Sequence, residues 1–368
     1  MGISFRLPRW LRAATIIGVF PFVLSGAAAE AGREALSSYL WTPTGDSEIA
    51  AVAEQFEIVH RHGNDFEILV PVERNKEFLR LAPEARLVEE DIHAALRAIE
   101  KMNPEYLAGY HNFDEVQQIL AEIARTRPDI ARLETYGSSQ GGRPLLALKL
   151  SDHVDVDEED EPELLLTSAT HGDEIITVEV LLSLLQELLD GYGKDSRLTQ
   201  MIDGAELYFI LAVNPDGYAS RQRYSNGVDP NRDYPWPEQP NRSPNACIKG
   251  VMDFFHSRNF AGSIDLHAYG QMIMYPWAWT SQAPDQADLT KFSELGRIMG
   301  QGNRYEVGQI SRVIYVAKGS SADYYYWKTG SLSYGVELAT SKAPPSSSIP
   351  TVVNEAREMT WKFIEYFL

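Results

Sequence analysis

Residues Leu164-Leu-Leu-Thr-Ser-Ala-Thr-His-Gly-Asp-Glu-Ile175 set an apolar run, Leu164 to Leu166, ahead of His171-Gly-Asp-Glu174, and a second apolar run, Ile175 to Leu189, behind it. The first run has the length of a strand and the second that of a helix, so the polar segment falls at a strand-to-helix junction. A histidine and a carboxylate three positions apart at such a junction can point at one cation. Further polar residues follow: Asn214-Pro-Asp-Gly217, Asp229-Pro-Asn-Arg232, His267, Tyr315 and Glu337.

Working outward, strands are expected near 164–168, 206–213, 262–267 and 333–338, alternating with helices near 175–189, 248–257, 289–300 and 352–367. Such alternation implies an α/β fold, a mostly parallel, mixed sheet sandwiched by helices. In such sheets the ligand site lies beyond the carboxyl ends of the strands, and His171, Asn214 and His267 each fall at or just after such an end. Upstream, a helix is expected over 113–130, a turn over 137–142 and a strand over 144–150. The acidic run 155–161 lacks the glycine and terminal glutamate of an EF-hand loop and reads as a solvated hairpin tip.

Between residues 38 and 92 the pattern changes. Strands at 39–42, 56–62, 66–72 and 85–89 and helices at 47–55 and 74–81, with a hairpin turn at Gly63-Asn64, give the order βαββαβ, a small ferredoxin-like α+β domain. A polar connector with helical character, 93–102, follows. The expected organisation is a signal peptide over 1–29, the small domain over 30–100 and a large catalytic domain over 101–368.

The first 29 residues carry Arg6, Arg9 and Arg12, an apolar stretch from Ala13 to Leu24 broken by Pro21, and Ala27-Ala28-Ala29, a small-residue cleavage site. The apolar core is shorter than the ~18 to 20 residues that span a bilayer. Export to a periplasmic or extracellular space is therefore expected, with no stable membrane anchor after cleavage. Removing this segment leaves 30 Lys and Arg against 52 Asp and Glu, a charge that disfavours nucleic acid and anionic lipid as partners. Cys247 is the only cysteine, so no internal disulfide forms and the fold rests on its core.

His171, Glu174 and His267 make a three-ligand set for one zinc ion that leaves a coordination position open. Glu337, at the end of an apolar strand expected in the middle of the sheet, is the candidate general base, since a desolvated site holds a carboxyl near the working range. His60, His62, His93, His111, His153 and His256 show no metal-like grouping in the catalytic part.

The segments Tyr110-His-Asn-Phe-Asp-Glu115, Gly137-Ser-Ser-Gln-Gly-Gly-Arg-Pro144, His171-Gly-Asp-Glu174, Asn214-Pro-Asp-Gly-Tyr218, Gly227-Val-Asp-Pro-Asn-Arg232, Asp265-Leu-His-Ala-Tyr269 and Val336-Glu337 together resemble the zinc metallocarboxypeptidase family, from about Tyr110 to the C-terminus. The resemblance implies an exopeptidase that acts on the C-termini of peptides or proteins. It implies that Asn231 and Arg232 grip the free carboxylate, that Arg223, or else Arg221, stabilises the oxyanion, and that Asp229 orients the first zinc histidine. It further implies that Tyr315 closes over substrate. Asp173 stands where the digestive branch carries an arginine, which puts one subsidiary substrate contact in doubt. Ala322 falls at the position that sets the terminal-residue preference and leans towards apolar ends; a one-residue slip would put Asp323 there. Residues 30–100 resemble the activation segment of the family's zymogens, with Arg97 and Lys101 as cleavage points, or else form a permanent accessory domain. The rival functions are a cell-wall stem-peptide peptidase or amidase using the same site, and an inactive carboxypeptidase-like binding protein.

Overall fold

The computed structural model describes residues 35–368, so the expected signal segment lies outside the described residues. The chain opens with β1 (Leu36–Trp41), α1 (Asp46–Ala53), β2 (Glu57–His62), β3 (Asp65–Pro71), α2 (Asn75–Leu81) and β4 (Arg86–Glu89). The strands form an antiparallel sheet in the order β2-β3-β1-β4. Gly63 turns the β2–β3 hairpin with a φ of 64°, a left-handed conformation that costs glycine least. Alternate residues Phe66, Ile68 and Val70 of β3 face a core shared with Tyr39, Phe56 and Phe78. That core runs on into Met272, Met274, Ala278, Ile310 and Tyr315 of the larger unit, so the small sheet is packed against the rim of the large one. The connector is a helix, α3 (Ile92–Met102), whose cap Asp91 accepts from the backbone N–H groups of His93 and Ala94.

The larger unit continues with α4 (Phe113–Thr126), β5 (Ala131–Ser138), β6 (Pro144–Leu150), β7 (Glu163–Thr167), α5 (Ile176–Gly191), α6 (Ser196–Asp203), β8 (Glu206–Ile210), α7 (Pro215–Ser220), α8 (Ala246–His256) and β9 (Phe260–Ala268). There follow β10 (Met272–Tyr275), α9 (Gln286–Met299), β11 (Glu306–Gln309), α10 (Ile310–Val313), α11 (Ser321–Thr329), β12 (Leu332–Leu338) and α12 (Ile349–Glu365). Eight strands form one sheet, ordered β11-β10-β12-β9-β7-β8-β6-β5. Its centre, β12-β9-β7-β8, is parallel, whereas β10 runs antiparallel to β12, and β6 to β5 and β8. Along β7, Leu164 and Leu166 enter one apolar layer with α4, α5, α9 and α12, while Leu165 enters the other with α8 and α11. A strand buried on both faces reads as an unbroken apolar run. Truncating any one of these leucines to alanine should cost roughly 2–5 kcal/mol.

Three strands escaped the sequence reading. β5 mixes charged and half-buried residues, while β10 and β11 are four residues each, too short to display a period. The run 155–161 is not a hairpin tip: β6 pairs with β8 and β5, while β7 lies beyond β8, so the segment is a connection across the sheet. It is tied down by Lys149, whose buried Nζ lies 3.1 Å from Asp157 and 2.8 Å from Glu206. Among the described residues no helix is long and apolar enough to cross a membrane.

Candidate metal centre and substrate cleft

The segment between β7 and α5 turns sharply, and a Cβ added at Gly172 would lie 2.0 Å from the carbonyl carbon of Gly217. Only glycine therefore lets the His171 loop and α7 approach so closely. Asn214 caps α7 through the N–H of Gly217 at 3.0 Å and donates from Nδ2 to the carbonyls of Arg223 and Tyr224, which fixes the loop that carries Arg223. Asp216 accepts from Ser139, Arg143 and the N–H of Gly141. The glycine-rich turn and the Asn-Pro-Asp-Gly segment are thus a clasp between two chain regions.

On the opposite side, β9 and β12 pair in parallel with His267 directly beside Glu337. Facing positions on neighbouring strands point the same way, so the sheet itself brings these two side chains to one place. His171 Nδ1 lies 2.8 Å from Glu174 Oε1 and 3.2 Å from His267 Nδ1, and His267 Nδ1 lies 3.1 Å from Glu174 Oε2. One atom from each of the three residues lies within 4.8 Å of the others, and all three are buried. Two imidazoles and a carboxylate converging in this way match the donor set of zinc in hydrolases. Among the described residues Asp152, His153 and Glu158 also come together, which corrects the view of His153 as ungrouped; that imidazole is 64% exposed and lies away from the cleft.

The charges around the three ligands are interlocked. Burial opposes ionisation of Glu174, but His171 and His267 outweigh it and hold the carboxyl well below its usual range. Burial likewise opposes ionisation of Asp229, and Arg223 and His171 reverse it. Asp229 Oδ1 is 3.0 Å from His171 Nε2. Arg223 donates to Asp229 at 3.0 Å and to Glu174 at 3.2 Å, whereas Arg221 turns away to Glu100 at 2.8 Å. Burial, then the neighbouring Glu174, pushes the Glu337 carboxyl up to about 7, and its Oε2 is buried with no hydrogen-bond partner among the described residues.

One cavity is lined by His171, Glu174, His267, Glu337, Arg223, Asn231 and Arg232, and beyond them by Met274, Ala278, Ile310, Ile314, Ala317 and Ala322. Arg232 donates to the hydroxyl of Tyr315, and its guanidinium lies 5.6 Å from the ring centroid. Asp323 turns aside: its carboxylate accepts from the N–H groups of Ala278 and Trp279, which leaves Ala322 on the cavity wall. Asp173, where the resemblance left a contact in doubt, is paired with Lys342 at 2.8 Å.

Three participants went unread in the sequence. Glu57 and Ile58, on β2 of the small sheet, reach the cleft: Glu57 meets Arg223 at 2.5 Å and accepts from Tyr224, and the Ile58 carbonyl accepts from Tyr315 at 3.1 Å. No local pattern marks such a long-range contact. Asp265 contacts His267 Nε2 at 3.1 Å; its Asp-x-His spacing, which puts both side chains on one face of a strand, was a signal that could have been used.

Comparison with known proteins agrees with this geometry. The zinc carboxypeptidase family model matches residues 116–359. A zinc carboxypeptidase of Saccharothrix mutabilis subsp. capreolus is 30% identical over 306 residues, 72% of this chain and 70% of its own. Carboxypeptidase A1 of Rattus norvegicus is 26% identical over 296 residues, 69% of this chain and 68% of its own. In fold, the chain is similar to the carboxypeptidase A of Helicoverpa armigera, with a TM-score of 0.75 at 18% identity, covering 90% of this chain and 97% of that one. With a family model spanning most of the larger unit and the three ligands meeting at the strand ends, the chain belongs to the zinc carboxypeptidase family.

Proposed function

We propose that this protein is an exported carboxypeptidase that removes single residues from the C-terminal end of peptides, with a preference for apolar ends, and that its N-terminal domain holds the site closed until it is cut away. The observation that carries the catalytic reading is the register of β9 and β12, which sets the ligand His267 beside Glu337 in a cavity that also contains Arg232.

Zinc held by His171, Glu174 and His267 supplies Lewis acidity and lowers the pKa of water to about 7. The remaining work falls to side chains. Glu337 takes the proton from the attacking water and delivers it to the leaving amine, a role suited to a carboxyl that burial has brought to about 7. Arg223 binds the oxygen of the scissile carbonyl as charge develops there. Asn231 and Arg232 bind the terminal carboxylate, which a planar guanidinium can hold by two parallel hydrogen bonds, and Tyr315 closes over the substrate. Asp229 keeps the proton of His171 on Nε2, so that Nδ1 stays free for the metal. Ala322, Met274, Ile310 and Ile314 form the apolar wall of the pocket for the terminal side chain.

The same cavity is reached by Ile58 and Val59 of the small domain, and Glu57 occupies Arg223. A substrate carbonyl cannot use that arginine while Glu57 does, which supports a prosegment rather than a bystander. Residues 1–29 supply export, and Arg97 and Lys101 on α3 supply places for the cut. Digesting a mixed peptide library with the trimmed protein and reading the ends by mass spectrometry tests the proposal. Apolar ends should disappear first; trimming confined to basic ends would refute the pocket assignment.

A further inference from the structure

Beyond the ligands themselves, the two metal imidazoles share one arrangement, with His267 Nε2 lying in addition 3.2 Å from Asn231 Nδ2. Each turns Nδ1 towards Glu174 and towards the other ring, and each meets a carboxylate with Nε2: Asp229 for His171 at 3.0 Å, Asp265 for His267 at 3.1 Å. A neutral imidazole that ligates through Nδ1 carries its proton on Nε2, and that proton needs an acceptor held in place.

Asp265 is such an acceptor. It is 3% exposed and sits on β9 two positions before His267, on the same strand face. Thr167 donates to it at 2.9 Å, Thr170 at 3.0 Å and Ser321 at 2.8 Å. These three donors differ in what they anchor. Thr167 stands opposite Asp265 in the β7–β9 register, so the sheet sets the first contact. Thr170 directly precedes the other ligand, His171, so the same carboxylate anchors both ligand segments. Ser321 opens α11, the helix whose next residue, Ala322, walls the terminal-residue pocket, and its N–H donates to Asn231 at 2.9 Å.

We propose that Asp265 is a positioning residue for the metal centre: it fixes the Nε2–H tautomer and ring orientation of His267 and locks both ligand segments to the base of α11. The inference rests on the zinc reading above. A buried carboxylate serving only to stitch β7, β9 and α11 together would accept the same three hydroxyls, so the test must read the imidazole itself.

The experiment uses the full chain. Zinc affinity of wild type and Asp265→Asn is measured by competition with a chromogenic chelator, and the visible absorption bands of the cobalt-substituted proteins are compared. Asp265→Asn should bind zinc ~10- to 100-fold more weakly, with shifted cobalt bands. Thr167→Val, which leaves the carboxylate and the ring in place, should keep the wild-type spectrum. Should Asp265→Asn fail to fold, long-range ¹⁵N–¹H spectra of histidine-labelled, zinc-loaded wild type decide the matter: His267 should carry its proton on Nε2. Wild-type affinity and spectrum in a folded Asp265→Asn, or a proton on His267 Nδ1, would overturn the proposal. A wild-type chain that binds no zinc would instead remove the reading on which it stands.

Discussion

Glu57 of the small domain and Arg223 of the large one form a buried ion pair, 2.5 Å apart with both side chains about 5% exposed. The pair joins β2 to the arginine assigned in the proposal to the scissile carbonyl. Arg223 also pairs with Asp229 and Glu174, so Glu57 is not its sole support, and under the proposed function the pair would serve as a latch.

Replacing Glu57 with glutamine should therefore raise the activity of the uncut chain, on the order of 10-fold or more, since removing one member of a buried hydrogen-bonded charge pair costs about 2–5 kcal/mol. After limited trypsin digestion, wild type and variant should turn over a small peptide at equal rates. An uncut wild type already as active as the trimmed protein would dismiss the latch.

Glu337→Gln should lower kcat roughly 10²- to 10⁴-fold while zinc content stays unchanged. In the proposed mechanism Glu337 acts as a carboxylate, so kcat/KM should rise with pH. The carboxyl stands at about 7 without metal, and a bound dication favours the ionised form, so the midpoint should fall at or below that value. In the metal-free protein the sign for stability is the opposite. A carboxyl whose folded pKa is raised stabilises the fold below its unfolded pKa of about 4.5, and that contribution is lost as pH rises through about 7. Chelated wild type should melt lower near pH 8 than near pH 5, and Glu337→Gln should shrink the difference; thermal melts with and without the substitution check this.

Arg232 is half-buried and donates to the hydroxyl of Tyr315. Truncation to alanine should lower kcat/KM for peptides with a free terminus by about 2–5 kcal/mol, mostly through KM. Steady-state kinetics on one peptide series would reveal a pure kcat effect, which would move Arg232 from binding to chemistry.

Ala322→Asp should turn the pocket towards lysine and arginine ends. An unpaired buried carboxylate is costly against an apolar side chain and is relieved by a basic one. A swing on the order of 100-fold in the ratio of kcat/KM for basic over apolar ends is expected from that cost. No change in the ratio would place the terminal side chain elsewhere.

Much of this could be read from residues alone because the sequence states it locally. The strand run at Leu164, the ligands at the junction and Glu337 at a strand end are each written in adjacent residues. So are the βαββαβ elements around Gly63. Arg223 could not be separated from Arg221 in the sequence, since both fit a short loop; in the structure Arg223 lies beside Asp229 and Glu174, whereas Arg221 pairs with Glu100. β5, β10 and β11 owe their strand state to neighbours, not to their own pattern. Glu57 was illegible because its partner Arg223 lies far along the chain, in the loop after α7.

The most direct measurement is a mass-spectrometric time course with the zinc-loaded, trimmed protein acting on one apolar-ended peptide and on its C-terminal amide. The free acid should lose one residue at a time from its C-terminal end while the amide stays intact, and chelation should stop the reaction. Internal cleavage, equal trimming of the amide, or undiminished turnover after zinc removal would contradict the account.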